Sequence, residues 1–316
     1  MKIYYTSELS FSGAAALFNN FKDEHRTFLA KHDLNLFTLN PLWVCLGIYN
    51  GYLRAYQTEV GFLVEYLDKK DIDTTLAKQY VLPLENNIEL FLKEVKEYRS
   101  SGPLANFTIP FCEAHQLNYD HEYETVEYYF RTEVLQSMKR SGHKSVRRRY
   151  EQLKQLYLKG LGILKDRYVL HNYPDEVDVK KSKDLFNTWI NARENSGWTA
   201  EQFNWTKNYE VLMSYPSMLN YFDLDGVYIL DKETDKYIGC AIGSVLSNTC
   251  WSNIVRLTDF ENYPGASNLV LHLLSLRYGV VKCPWSADGG CADDLPSLAD
   301  FKKSYADKIV EVTRFL

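Results

Sequence analysis

Apolar positions along the first third of the chain change period more than once. Between Ala14 and Lys31 the residues Phe18, Phe21, Phe28 and Leu29 recur at helical spacing, which predicts an amphipathic helix. From Leu36 to Leu67 aromatic and β-branched residues crowd together around Tyr49-Asn50-Gly51-Tyr52. An Asn-Gly pair accepts positive φ, so this stretch is expected to hold strands joined by a hairpin turn. Asn86-Asn87 leads into Ile88–Tyr98, where Ile88, Phe91, Leu92 and Val95 share one helical face, and Ser101-Gly102-Pro103 stops it. Phe107–Phe111 is expected to be a strand.

The second half repeats this order. A basic helix is predicted from about Lys144 to Leu158, with Val146, Tyr150, Leu153 and Tyr157 as its inward stripe. A strand at Tyr168–His171 precedes helices at Val179–Glu194 and near Phe203–Leu219. Strand patterns follow at Tyr221–Leu224, Val227–Asp231, Tyr237–Ser247 and Thr249–Leu257. Pro264-Gly265 introduces a helix, Ser267–Tyr278, capped by Ser267 or Asn268. A strand at Val280–Trp285, a helix at Leu295–Tyr305 and a strand at Lys308–Arg314 close the chain. Helices around an antiparallel meander, followed by alternating strands and helices, predict an α+β architecture with a mixed sheet.

Composition narrows the classes. The 316 residues are 46% hydrophobic and 24% charged, which is ordinary for globular protein and gives a prior of about two domains. Apolar runs fall far short of the ~20 residues a membrane helix needs, and the first residues lack the basic start and apolar block of a secretory signal. The expected location is the cytoplasm. A formal charge of −5 argues against a polyanion binder as a whole, DNA included, so any phosphate site must be a local patch. The six cysteines are dispersed without zinc spacing, which predicts buried thiols and no metal site. The 24 tyrosines favour strand-rich layers and broad amphipathic surfaces.

One turn is placed for chemistry. A strand that passes through Pro264-Gly265-Ala266 into a helix presents backbone N–H groups at the helix N-terminus, where anions bind. The same residues are also what an ordinary capped turn needs.

The succession resembles the GNAT acyltransferase fold. Over most of its length the chain more specifically resembles the tandem-GNAT proteins related to the C-terminal domain of phosphatidylglycerol lysyltransferases, and more distantly the Fem-type aminoacyl transferases. Three stretches carry the resemblance: Tyr80–Glu85 leading into the helix at Ile88; Glu127-Tyr-Tyr-Phe130 with Leu135, Gly142, His143, Lys144 and Arg147-Arg-Arg149; and the terminal loop and helix from Ser286 to Tyr305. Departures are evident. Ser286 or Ala287 stands where the family has asparagine, Arg148-Arg149 where it has Arg-Asn, and Leu298-Ala299 where it has Leu-Arg. The resemblance implies two GNAT-like domains in tandem, with a degenerate half over 1–130 and the working cleft in 131–316. Neighbouring strands in such a fold part to admit the arm of an activated donor.

Candidate residues follow from both lines. Lys144, Arg147 and Arg148 share a helix face and repel one another unless an anion neutralises them, which suits a phosphate; a solvated helix face is the alternative. In the loop after the last core strand, Gly289 and Gly290 permit close backbone approach. Asp288 or Asp293 there is placed to orient or deprotonate an attacking amine, or else to serve in a turn and cap. Lys302 joins this cofactor-binding group. Tyr305 is placed to protonate a leaving thiolate or hydroxyl, or simply to pack. Trp189, Trp198 and Trp205 belong either to the core or to a substrate wall.

The expected activity is acyl or aminoacyl transfer from acyl-CoA or aminoacyl-tRNA to an amine or hydroxyl on a small molecule or lipid headgroup. The alternative is a catalytically inactive GNAT-like binding or scaffold protein.

Overall fold

The computed structural model describes residues 8–67, 79–100, 102–121, 125–137, 167–198, 206–215, 221–289, 299–300, 302–303 and 306–316. The N-terminal helix α1 (Phe11–Lys31) begins at Ser10, whose hydroxyl accepts the Gly13 N–H at 3.2 Å, and it buries Ala14, Phe18, Phe28 and Leu29. The aromatic stretch that follows is not a hairpin at Asn-Gly. Asn40 caps a helix, α2 (Pro41–Tyr49), by accepting the Leu42 N–H, and Pro41 fits its first turn. Asn50 and Gly51 then turn the chain from the end of α2 into β1 (Leu53–Gln57). Because α2 is apolar nearly all round and largely buried, its sequence carries no helical stripe and reads like a strand. The real hairpin turn lies at Thr58–Val60, before β2 (Gly61–Tyr66).

The first half continues with β3 (Gln79–Pro83), α3 (Ile88–Arg99), β4 (Leu104–Thr108), α4 (Ile109–Ala114), β5 (Thr125–Arg131) and α5 (Thr132–Ser137). Asn87 caps α3 through the Leu90 N–H. The strand expected at Phe107–Phe111 stops at Thr108, because the Thr108 hydroxyl and Pro110 together start α4.

The second half runs β6 (Tyr168–Tyr173), α6 (Val179–Asn195), α7 (Lys207–Ser214), β7 (Leu224–Asp231), β8 (Lys236–Ser247), β9 (Cys250–Thr258), α8 (Ala266–Ser275), β10 (Trp285–Ala287) and β11 (Lys308–Phe315). Tyr221–Leu224 is not a strand of its own; β7 begins at Leu224. The strand expected from Val280 is confined to Trp285–Ala287, since the preceding residues turn back after α8.

All these strands form one sheet in the order β1-β2-β3-β4-β11-β5-β10-β9-β8-β7-β6. The order is nearly a mirror image about its middle. In each half a parallel pair, β3/β4 or β9/β10, is joined through a helix, and the remaining pairs are antiparallel. The halves exchange their last strands: β5, from the first, pairs with β10, and β11, from the second, lies between β4 and β5. The molecule is therefore an α+β fold whose two halves, alike in element order, share one mixed sheet.

Alternation along β8 separates two cores. Ala241 joins Leu269, Val270 and Leu274 of α8 on one face. Cys240 and Ile242 join the cluster that includes Leu185 and Trp189 of α6 on the other. Among the described residues no helix is long and apolar enough to cross a membrane.

Candidate functional site

Strand β10 pairs with β9 over three residues, Trp285↔Cys250, Ser286↔Trp251 and Ala287↔Ser252. Beyond Ala287 it keeps to β5 and leaves β9: the Asp288 N–H bonds the Tyr128 carbonyl at 3.0 Å, and the Gly289 N–H bonds the Glu127 carboxylate at 2.7 Å. Gly289 has φ 68°, a conformation glycine adopts without strain. From Asn253 to Thr258, β9 continues beside β8 with no described strand on its other edge. The sheet thus opens at the carboxyl ends of two parallel strands, where open α/β-type sheets place ligands.

Side chains, not backbone, bridge the opening. A bulge in the β8/β9 ladder, between the pairs Ile242↔Val255 and Gly243↔Asn253, inserts Ile254 as an extra residue. The extra residue brings Asn253 and Arg256 to the same face. Both reach Asp288: Asn253 Nδ2 donates to Oδ1 at 2.5 Å, and Arg256 Nη2 to Oδ2 at 3.4 Å. Lys302 Nζ lies 3.7 Å from Oδ2 and also donates to the carbonyls of Asp288 and, at 3.1 Å, Gly289. It therefore satisfies the backbone oxygens released where the strand ends.

Beneath this cluster Glu127 is fully buried against the turn. It accepts the Gly289 N–H and, at 3.3 Å, the Phe37 N–H. Burial pushes its carboxyl up to about 8; Lys302 and the two N–H donors oppose that shift, and Asp288 adds to it.

The opening leads into a cavity of about 530 Å³ lined from both faces of the sheet. Trp43 of α2, Trp189 of α6 and Tyr209 of α7 contribute aromatic wall, and Ser267 reaches it from α8. Arg193 of α6 points its guanidinium among aromatic rings, 4.6 Å from the Phe260 centroid, 5.0 Å from Trp198 and 5.5 Å from Trp189. Trp189 and Trp198 therefore line the cavity as well as packing against the core. Among the described lining residues three cations, Arg193, Arg256 and Lys302, face one carboxylate, Asp288.

Of the residues singled out from sequence, Asp288, Gly289 and Lys302 meet at this cavity. Gly265 is the N-cap of α8 and Ala266 its first, buried residue. Neither Ser267 nor Asn268 caps the helix, which has no side-chain cap at all. Pro264-Gly265-Ala266 lies directly before Ser267, which lines the cavity, and none of the three is itself a lining residue. Lys144, Arg147, Arg148, Trp205, Gly290, Asp293 and Tyr305 lie outside the described residues. Asn253, Arg256, Arg193 and the carboxylate of Glu127 were missed as site residues. A polar Asn253 beside Ser252 and a charged Arg256 in the mainly apolar run from Cys250 to Leu257 are the signal that could have found the first two, since buried polar groups in a strand demand partners.

No protein-family model matches the sequence, and no curated protein matches it. Solved structures do. A Bacteroides thetaiotaomicron protein of unknown function superposes with a TM-score of 0.64 at 11% identity, covering 97% of each chain. The C-terminal domain of a protein assigned as a lysylphosphatidylglycerol synthetase in Agrobacterium fabrum gives 0.54 at 10% identity, over 96% of this chain and 91% of that one. FemX gives 0.51 at 9% identity over 98% of both chains. The chain has their fold. At these identities the likeness is one of architecture, and it is the architecture that the sequence resemblance implied. Among the described residues no cluster of three or more His, Cys, Asp or Glu side chains is placed to hold a metal ion.

Proposed function

We propose that the protein transfers an acyl or aminoacyl group from an activated donor to an amine or hydroxyl, with the reaction at the parting of β9 and β10. The observation that carries this reading is the edge of β9 from Asn253 to Thr258, beside which no described strand lies, opening into a cavity reached from both faces of the sheet. An extended donor arm lying along that edge would find backbone groups to bond, and its carbonyl would meet N–H donors fixed in advance for the developing oxyanion. The acceptor's nitrogen or oxygen attacks the donor carbonyl carbon, and the thiolate or alkoxide leaves as the carbonyl re-forms. Asp288 orients the acceptor and receives its proton; Tyr305 returns a proton to the leaving group. Pro264-Gly265-Ala266, with Gly290, takes the donor's phosphates, and Asp293 is the alternative carboxylate for the acceptor.

Acyl-CoA is the favoured donor. The chain's net charge of −5 disfavours the many phosphate contacts a whole tRNA uses. The excess of cations among the described lining residues also disfavours the lysyl group that the Agrobacterium protein's name implies. If aminoacyl-tRNA is the donor, Lys144, Arg147 and Arg148 are the residues to engage its acceptor end. The acceptor is a small molecule or a lipid headgroup, and the reaction is placed in the cytoplasm.

A second reading, a binding protein of this fold without catalysis, draws on one observation: Asp288 already has Asn253, Arg256 and Lys302 as partners, so its carboxylate oxygens are occupied. Incubation with acyl-CoA separates the two. A raised thermal midpoint together with acceptor-dependent release of free thiol supports transfer; a raised midpoint without thiol release across a panel of amines supports binding alone.

A further inference from the structure

Arg193 is not explained by the donor's path. It rises from the outer part of α6, and three aromatic rings surround its guanidinium. Its Nε is buried without a hydrogen-bond partner, and among the described residues no carboxylate pairs with it. Burial lowers its pKa, and the positive charge of Arg256 lowers it further, so the two guanidinium groups feel one another. Asp288, the one carboxylate lining the cavity among the described residues, is shared by Arg256 and Lys302. Holding a cation that no described carboxylate compensates in an aromatic pocket costs free energy that cation–π contact offsets only in part. A planar fork of N–H donors in such a place matches an oxyanion. The walls beside it, Trp43 and Trp189, present flat apolar surface.

We propose that Arg193, with Arg256 behind it, forms an oxyanion subsite for the acceptor, and that the acceptor joins a carboxylate or phosphate group to a flat, apolar body. This deepens the transferase reading by naming the acceptor's chemistry, and it rests on that reading for the word acceptor; the binding site itself does not. A carboxylate and a phosphate share the recognition chemistry, and the experiment separates them.

The test is binding of four probes to the full-length protein by calorimetry: benzoate, phenyl phosphate, benzyl alcohol and inorganic phosphate. At least one ring-bearing oxyanion is expected to bind roughly tenfold or more tightly than both benzyl alcohol, which lacks the charge, and inorganic phosphate, which lacks the ring. The tighter of benzoate and phenyl phosphate names the source of the oxyanion. Arg193→Met keeps the contact with the tryptophans and is expected to lose that preference. Arg193→Lys, which keeps the charge without the planar fork, is expected to weaken binding severalfold. Equal binding of benzyl alcohol and the ring-bearing oxyanions to the native protein would overturn the proposal with no variant needed. So would unchanged affinity in both Arg193 variants. Retained benzoate or phenyl phosphate binding with no response to either acyl-CoA or aminoacyl-tRNA would overturn the transferase reading and leave the subsite standing; the reverse pattern would remove the subsite alone.

Discussion

With 3% of its side chain exposed, Asp288 is the carboxylate that Arg256 and Lys302 share at the mouth of the cavity. Asp288→Asn leaves two largely buried cations without it, and stability is expected to fall by about 3 kcal/mol, the scale for breaking a buried ion pair from one side. Transfer is expected to fall roughly a hundredfold or more, the scale for removing a positioned acid–base group; urea unfolding and a thiol-release assay read the two effects separately. Glu127 gives a second expectation. Its folded pKa of about 8 stands above its ordinary 4.5, so the folded state holds more protons than the unfolded one between those values, and stability falls as pH rises through that window. Buried His25, lowered to about 4, acts in the opposite sense below its ordinary 6.5, where it is neutral only when folded. The Glu127 effect is therefore cleanest between about pH 6.5 and 8, with a slope of up to about 1.4 kcal/mol per pH unit. Glu127→Gln is expected to flatten the thermal midpoint against pH in that range; an unchanged slope would show that Glu127 is ionised throughout. At this scale the sequence singled out Asp288 and Gly289, because a loop after a core strand draws attention, and Lys302 one helix further on, in the stretch that carries the family resemblance. It did not show Arg193, because one arginine on a helix resembles any surface cation until the rings around it are seen.

Elements were legible where burial is one-sided. Helices α3 and α6 have an apolar face, a capping side chain and clear boundaries, and sequence placed both within a residue or two. Helix α2 failed that reading for the opposite reason: it is enclosed by other elements, and nothing polar marks its outer face. The bulge in β9 was equally hidden, since an inserted residue in an apolar strand leaves no periodic trace. Its register can be tested through Gly243, which faces Asn253 across the ladder. A Cβ at that position would lie 2.8 Å from the Ser252 carbonyl oxygen and 2.8 Å from the Tyr278 hydroxyl. Gly243→Ala is therefore expected to push β8 from β9 at the bulge, costing about 2 kcal/mol as overpacking does. Acyl-CoA affinity is expected to weaken with it, because Asn253 and Arg256 lose their register with Asp288. A variant of native stability and native affinity would place the bulge elsewhere.

The first half fills the space beside its comparable parallel pair, β3 and β4, with aromatic rings. Around β3, β4 and α3 it packs Phe28, Phe91, Phe107 and Phe111, all buried, with Phe28 and Phe91 centroids 4.9 Å apart. The His25 ring donates to the carbonyl of Pro83, the last residue of β3. Strand exchange then ties the two halves into one unit, because β5 and β11 each complete the other half's part of the sheet. Sequence read the repeat of elements and could not read the exchange, which depends on pairing between residues far apart in the chain. Expressed alone, 1–130 and 131–316 are each expected to be insoluble or unfolded, having lost a central neighbour and gained a bare sheet edge; co-expression is expected to restore a soluble complex. Two halves that each unfold cooperatively on their own would show that the exchange is dispensable.

The most direct measurement is backbone hydrogen exchange of the whole protein with and without saturating acyl-CoA, and in parallel with aminoacyl-tRNA. If the parting of β9 and β10 receives the donor, one of the two ligands slows exchange at Asn253–Thr258 and at Gly265–Asn268, while the paired residues Cys250–Ser252 change little. Slowed exchange elsewhere, with those two segments unaffected by either donor, would contradict the assignment of this cleft as the donor site.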